Sequence, residues 1–146
     1  MHIALGADHA GVTLKDDLAR QLREQGHEVT DHGTHGTASV DYPDVAGVVA
    51  RDVAAGGAEL GVLVCGTGLG VAVAANKVDG IRAVTCNDLF TAQMARSHND
   101  ANVLALGARV VGGGVASEIV RLFLETPFEG GRHGRRVDKI HQLESA

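Results

Sequence analysis

Residues 65–70 read Cys-Gly-Thr-Gly-Leu-Gly and combine a thiol with three glycines in one short segment. The segment follows an apolar run, residues 60–64, and precedes a stretch of small residues that ends near Asn76. A strand, a glycine-rich turn and a helix N-terminus in this succession place backbone N–H groups around a point where negative charge is stabilised. Because a helix N-terminus also favours the thiolate form of a cysteine, Cys65 is a candidate base or nucleophile.

The glycine pattern of this loop does not fit the common nucleotide- and phosphate-binding motifs. A dinucleotide fingerprint starting at Gly66 or Gly68 requires a further glycine where Val71 or Val73 stands. The sequence contains no Gly-Lys-Ser/Thr of a Walker loop, and a cysteine phosphatase would place a phosphate-clamping arginine at position 71. Core packing is the alternative role for a free cysteine. Both roles stay open for Cys65, and core packing is favoured for Cys86.

Polar residues follow three other apolar runs of the sequence. They are Asp8 and His9 after residues 3–7, Asn87 and Asp88 after residues 81–85, and Arg109 after residues 103–106. In an open α/β sheet, ligands bind outside the carboxyl ends of the strands. We therefore expect these residues and the glycine loop to converge on one crevice.

Two further groups near the end of the chain could take part in chemistry. His98 ends a predicted helix, where it could exchange protons near neutral pH or simply interact with the helix dipole. Residues 132–136, Arg-His-Gly-Arg-Arg, contain three arginines that suit bidentate binding of phosphate or carboxylate, or could be a solvated tail. The remaining histidines show no metal-ligand spacing, so we predict no metal site.

The alternation of short apolar runs with helical patterns predicts the elements that position these residues. Five parallel strands are expected at residues 3–7, 27–31, 60–64, 81–85 and 103–106, with residues 32–43 as a loop. Helical patterns lie between the strands. One contains Leu14, Leu18 and Leu22 and ends at Gly26, one begins at an Asp44 N-cap, and one is capped by Asn87 or Asp88. Residues 1–146 are expected to form one α/β domain, a three-layer sandwich whose C-terminal tail, from about residue 127, ends in a short helix.

The composition is that of an ordinary globular domain and excludes several classes of protein. The 146 residues are 45% hydrophobic and 21% charged, with a formal net charge of −5 and few aromatic residues. This balance argues against a disordered, nucleic-acid-binding or membrane-surface protein. We see neither a signal peptide nor an apolar run of membrane-spanning length, and two cysteines suit a reducing compartment. A soluble, cytoplasmic protein is expected.

Six segments in register resemble the type B ribose-5-phosphate isomerase family, over nearly the whole chain. They are Gly-Ala-Asp-His-Ala-Gly at 6–11, Asp-Tyr-Pro at 41–43, residues 65–70 with Ala-Ala-Asn-Lys at 74–77, Gly-Ile-Arg-Ala at 80–83, His-Asn-Asp-Ala-Asn-Val-Leu at 98–104, and Glu-Gly-Gly-Arg-His at 129–133 with Arg136. The resemblance implies a Rossmann-like subunit without a cofactor. It also implies a homodimer, with a tetramer as the alternative, whose active sites are built from both chains.

The resemblance also implies roles for individual residues. Cys65 falls at the position of a catalytic base, whereas another branch of the family uses a glutamate farther along, where Ala74 and Ala75 stand here. Thr67 and His98 match residues that open the sugar ring. The substrate-binding positions are Asp8, His9, Tyr42, Gly66, Gly68, Leu69, Gly70 and Asn99, and the phosphate-binding positions are Arg109, Arg132 and Arg136.

The expected reaction is the interconversion of ribose 5-phosphate and ribulose 5-phosphate through an enediolate. The loop at residues 34–40 departs from the family pattern, so an isomerase of allose 6-phosphate, galactose 6-phosphate or a four-carbon ketose phosphate is the first alternative. A cysteine hydrolase, which would form a covalent thiol intermediate, and a non-catalytic phosphosugar-binding module are the others.

Overall fold

The computed structural model describes residues 1–145, and its five strands form one parallel sheet. The strand order is β2-β1-β3-β5-β4. The strands are β1 (His2–Ala7), β2 (Glu28–Asp31), β3 (Leu60–Cys65), β4 (Ala83–Thr85) and β5 (Val103–Gly107). The predicted α/β class with five parallel strands is confirmed.

Helices cover both faces of the sheet and complete the expected three layers. One face packs against α1 (Val12–Glu24), α4 (Leu89–Ser97) and α5 (Gly113–Glu125), and the other against α2 (Tyr42–Ala54) and α3 (Leu69–Ala75). A sixth helix, α6 (Arg132–Gln142), and a 3-10 turn, Leu143–Ser145, follow. No helix within residues 1–145 has the length and apolar character needed to cross a bilayer.

Alternating side chains of the central strands enter two separate apolar cores. In β3, Val62 and Val64 join the core under α1, α4 and α5, whereas Leu63 and Cys65 join the core under α2 and α3. This follows from the two-residue period of a strand whose two faces are both covered. The side chain of Cys65 therefore lies on the α2 and α3 side, at the end of its strand.

Two predicted boundaries were wrong. The helix α2 begins at Tyr42 with Asp41, not Asp44, at its N-cap, because Pro43 fits the first helical turn, where its missing N–H is not needed. The strand β4 begins at Ala83 rather than at residue 81. Ile81 instead closes a turn onto the carbonyl of Val78 (3.2 Å), and the N–H of Arg82 donates to the side chain of Asn102 (2.7 Å).

The carboxyl ends of the five parallel strands lie along one border of the sheet, which we call the carboxyl edge. Their amino ends lie along the opposite border, the amino edge. At the carboxyl edge β1 and β3 lie side by side, and successive connections leave in opposite directions, which is where α/β proteins bind ligands. At the amino edge lie the turns that lead into β4 and β5. The five residues of β5 separate the two edges by about 13 Å, at about 3.3 Å per residue.

Candidate active site

Cys65 is the last residue of β3, and its sulfur is held by the loop that follows. The residue is only 5% exposed and belongs to the core under α2 and α3. Its Sγ accepts a hydrogen bond from the N–H of Gly68, at 3.2 Å. The thiol thus borders the core on one side and the backbone of the glycine loop on the other.

Cys86 is a matched contrast to Cys65. It is 2% exposed and lies in the other core, under α1, α4 and α5. Burial raises the pKa of the Cys86 thiol, and the negative charge of Asp88 adds to this, against a hydrogen bond with Thr91. Its predicted role as a core residue is confirmed.

The glycine loop is fixed by the ends of β4 and β5. The side chain of Asn87 bridges them, since its Oδ1 accepts from the N–H of Gly107 (2.9 Å) and its Nδ2 donates to the carbonyl of Thr67 (3.2 Å). The hydroxyl of Thr85 donates to the carbonyl of Gly68 (2.8 Å). Gly68 has a φ of 81°, and a Cβ there would lie 2.9 Å from the backbone of Leu106, so only glycine fits.

The N–H groups of the loop divide into two sets. Those of Gly68 and Leu69 are already used, by Cys65 Sγ and by Thr67 Oγ1, each at 3.2 Å. Those of Gly66, Thr67 and Gly70 donate to no acceptor within residues 1–145. We expected all the N–H groups of the loop to be available to an anion. Only the N–H groups beside the thiol that have no acceptor in this part of the chain are available.

The other residues predicted for the carboxyl edge surround this loop. The N–H of Asp8 donates to the carbonyl of Val64 (3.2 Å), and His9 Nδ1 accepts from the N–H of Val40 (3.2 Å). The ring of Tyr42 lies so close to Gly70 that a Cβ on Gly70 would be 2.7 Å from it.

Arg109 also lies at this edge. Its backbone N–H donates to the carbonyl of Gly66 (3.0 Å), and its guanidinium would lie 3.3 Å from a Cβ on that glycine. Backbone hydrogen bonds thus place Asp8 and Arg109 beside the end of β3 and the glycine loop, at one edge of the sheet. We call Asp8, His9, Tyr42, residues 65–70 and Arg109 the carboxyl-edge cluster.

A second group of predicted residues lies elsewhere, where α4 ends and α6 begins. The N–H of Glu129 donates to the carbonyl of Ser97 (3.0 Å), which holds the segment before α6 against the end of α4. His98 stacks on His133 of α6, with ring centroids 4.1 Å apart and planes 9° from parallel. We call His98, Asn99, Glu129, Arg132, His133 and Arg136 the α6 cluster.

The charged and titratable groups of the α6 cluster lie close enough to affect one another. The Nε2 atoms of His98 and His133 each lie 3.4 Å from Oε2 of Glu129. Partial burial lowers the pKa of His133, and the charges of His98, Arg132 and Arg136 lower it further against the opposing effect of Glu129. Arg132 and Arg136 flank His133 on α6, one residue before it and three residues after it.

The two clusters do not meet within one chain. A helix that connects two parallel strands runs back along the sheet, so α4 starts at the carboxyl edge and ends at the amino edge. Asn102, a few residues beyond His98, donates its N–H to Arg82 just before β4. Cys65 pairs with Gly107 at the other end of β5. A single chain therefore separates Cys65 from His98, and Arg109 from Arg132 and Arg136.

Glu129 and His133 are members of this second cluster that sequence reasoning missed. Their spacing of four residues could have indicated a pair, but the segment was interpreted as a phosphate site because of its arginines. Among residues 1–145, His98, Glu129 and His133 form the one group of three or more His, Cys, Asp or Glu residues whose ligand atoms are close enough together to hold a metal ion.

Comparison with known proteins shows which family this chain resembles. The model of the Ribose/Galactose Isomerase family matches residues 3–140. The chain belongs to this family. A relative within it, ribose-5-phosphate isomerase B of Escherichia coli, is 49% identical over 97% of this chain and 95% of its own length.

Solved structures of family members share the whole fold. Ribose-5-phosphate isomerase B of Clostridium thermocellum has a TM-score of 0.98 and 52% identity, covering 99% of this chain and 98% of its own. The enzyme of Mycoplasma genitalium, solved with bound ribulose-5-phosphate, has a TM-score of 0.95 and 44% identity, covering 99% and 96%.

Proposed function

We propose that this member of the Ribose/Galactose Isomerase family interconverts ribose 5-phosphate and ribulose 5-phosphate. The observation that carries the proposal is the contact of Cys65 Sγ with the N–H of Gly68, beside loop N–H groups that have no acceptor among residues 1–145. The likeness along the whole chain to ribose-5-phosphate isomerases supports the choice of substrate.

The isomerisation moves one proton between neighbouring carbons of the open-chain sugar. The thiolate of Cys65 takes the proton from C2 of the aldose, and the C2–H electron pair forms the enediolate double bond. Negative charge develops on the carbonyl oxygen, where the free N–H groups of Gly66 and Thr67 stabilise it. The thiol then returns the proton to C1 while the proton of the C2 hydroxyl passes to the oxygen on C1, which leaves a carbonyl at C2 and gives the ketose.

The ring of the sugar must open before this transfer, and His98 is the proposed acid and base for that step. Since His98 lies at the other edge of its own sheet, we assign this role to His98 of a second copy of the chain. Arg132 and Arg136 come with it, because they belong to the same α6 cluster. They hold the phosphate together with Arg109 from the first copy. Asp8, His9 and Tyr42 of the first copy and Asn99 of the second contact the sugar.

The surface beside the carboxyl-edge cluster supports the assembly of two chains. Leu69 and Val73 lie one turn apart on one side of α3 and are 59% and 64% exposed. Large exposed apolar side chains that gather on one surface mark an interaction site. A two-fold homodimer that covers this surface would form two equivalent sites, each from the carboxyl-edge cluster of one chain and the α6 cluster of the other.

The cytoplasm is the proposed location of the enzyme. Both cysteines are unpaired in the structure, and a catalytic thiol must stay reduced to act as a base.

The proposal is tested by assaying the purified chain with aldose phosphates of four, five and six carbons. We expect ribose 5-phosphate to give the highest kcat/KM. In Cys65→Ala, kcat for ribose 5-phosphate should fall by about 10²–10⁴, the usual contribution of a general base, while calorimetry should still detect binding of the sugar.

Cys86→Ala is the matched control, because it removes the other buried thiol from the opposite core. This variant should keep kcat near the wild-type value. Wild-type turnover by Cys65→Ala would refute Cys65 as the base, and a higher kcat/KM for a four- or six-carbon sugar would refute the substrate.

A further inference from the structure

His98, Glu129 and His133 bring two imidazole nitrogens and a carboxylate oxygen together at the surface of the chain. Both Nε2 atoms are 3.4 Å from Oε2 of Glu129, and the three ligand atoms all lie within 4.8 Å of one another. In zinc sites the metal–ligand distances are about 2.0–2.2 Å, which for tetrahedral angles separates neighbouring ligand atoms by about 3.3–3.5 Å. The two measured separations match this spacing.

The backbone holds the three side chains in place from separate directions. The N–H of His98 donates to Met94 (2.9 Å), that of Glu129 to Ser97 (3.0 Å) and that of His133 to Gly130 (3.1 Å). The two rings are stacked, so a shared ion requires their nitrogens to turn toward a common point. The χ2 torsion of histidine is broad and permits this turn.

Exposure and charge leave the cluster open to an ion. The side chain of His133 is 11% exposed and forms the floor, whereas those of His98 and Glu129 are 39% and 57% exposed. Glu129 supplies a negative charge against the positive charges of Arg132 and Arg136.

We propose that His98, Glu129 and His133 form a binding site for a borderline-soft divalent ion of the Zn²⁺ type, with water in the fourth position. Two imidazoles and one carboxylate favour Zn²⁺, Ni²⁺ or Cu²⁺ over Mg²⁺ or Ca²⁺, which prefer oxygen ligands. The ion is an inhibitor and not a cofactor, because it occupies the Nε2 lone pair of His98. This consequence for activity rests on the proposed function, whereas the binding itself does not.

The test is calorimetric titration of the purified wild-type chain with Zn²⁺ in the absence of substrate. We expect one Zn²⁺ per chain. Glu129→Gln and His133→Asn should each weaken binding by more than about tenfold, which is the effect that loss of even an outer-shell partner can have. His27→Gln, which alters a histidine before β2, is the matched control and should bind like the wild type.

The absorption spectrum of bound Co²⁺ distinguishes binding by the cluster from binding by a cysteine thiolate. Co²⁺ bound by the cluster should show the d–d bands of a tetrahedral nitrogen and oxygen site, and Cys65→Ala should leave that spectrum unchanged. Absence of saturable binding, unchanged affinity in both Glu129→Gln and His133→Asn, or a thiolate charge-transfer band that Cys65→Ala abolishes would each overturn the site.

Inhibition is the second readout. Zn²⁺ should inhibit wild-type isomerisation over the concentration range in which it binds, and Glu129→Gln, scaled to its own uninhibited rate, should need more than about tenfold more Zn²⁺. Binding without inhibition would overturn the inhibitory role and leave the metal site in place. If the wild-type chain had no isomerase activity at all, that result would contradict only the proposed function, since the calorimetric measurement of Zn²⁺ binding does not depend on turnover.

Discussion

The carboxyl-edge cluster and the α6 cluster are built in different ways. Around Cys65 the fixed groups are mostly backbone atoms, held by hydrogen bonds from Gly68 and by the bridging side chain of Asn87. The α6 cluster consists of side chains at two helix ends, stacked and charged, with His98 and Glu129 partly open to solvent. In the proposed mechanism, the rigid backbone groups face the reacting carbons of the sugar, and the acid and the arginines come from the α6 cluster of a second chain.

The largest effect is expected for the buried ion pair that holds the end of β1 at the carboxyl edge, and the quantity measured is the stability of the fold. Lys15 is fully buried and donates to both carboxylate oxygens of Asp31, at 2.7 and 2.8 Å. Asp31 also accepts from the N–H of Gly33, whose carbonyl accepts from Ala7 at the end of β1. Asp31→Asn should therefore destabilise the fold by about 3 kcal/mol in urea unfolding at pH 7, because it leaves a buried ammonium without its main partner.

The control and the pH dependence both follow from this ion pair. Asp16, the other carboxylate near Lys15, is 57% exposed, so Asp16→Asn should cost less than about 1 kcal/mol. Although burial raises it, the ion pair with Lys15 and the hydrogen bond from Gly33 hold the pKa of Asp31 below its usual value. Its stabilisation is complete above the unfolded pKa of about 4 and is lost as the pH falls through the folded value. A difference between wild type and Asp31→Asn that persisted undiminished at pH 2 would contradict the role of this charge.

A smaller effect is expected on the side of the α6 cluster. Arg132→Ala should raise KM for ribose 5-phosphate by about tenfold or more, the loss expected for a hydrogen bond to a charged group, while kcat changes little. Arg135→Ala is a neighbouring control on the same helix and should leave KM unchanged. An unchanged KM in Arg132→Ala, or a fall in kcat at constant KM, would remove Arg132 from the phosphate site.

The two clusters were not equally predictable from the sequence. The carboxyl-edge cluster follows from local signals, because polar residues after apolar strands must meet at one edge of a parallel sheet. The cap of α4 was predicted in the same way, and Asp88 accepts from the N–H of Thr91 at 2.7 Å. The start of α2 was missed because Pro43 was interpreted as the end of a loop and not as the first turn of a helix.

The α6 cluster depends on contacts that no local pattern encodes. Glu129 and His133 reach His98 only because the chain after α5 returns to the end of α4, a tertiary contact across more than thirty residues of sequence. The separation of His98 from Cys65 is likewise a property of helix direction relative to the sheet. The resemblance to the isomerase family implied a shared site, and the geometry of the single chain supplies the physical reason for proposing one.

The most direct test of the account is complementation between two inactive variants, Cys65→Ala and His98→Asn, mixed after unfolding and refolded together. If each site takes Cys65 from one chain and His98 from the other, half of the random dimers contain one intact site. The mixture should then regain about a quarter of the wild-type isomerase activity. If both residues acted within one chain, no dimer of the two variants would contain an intact site, and a mixture as inactive as its components would contradict the account.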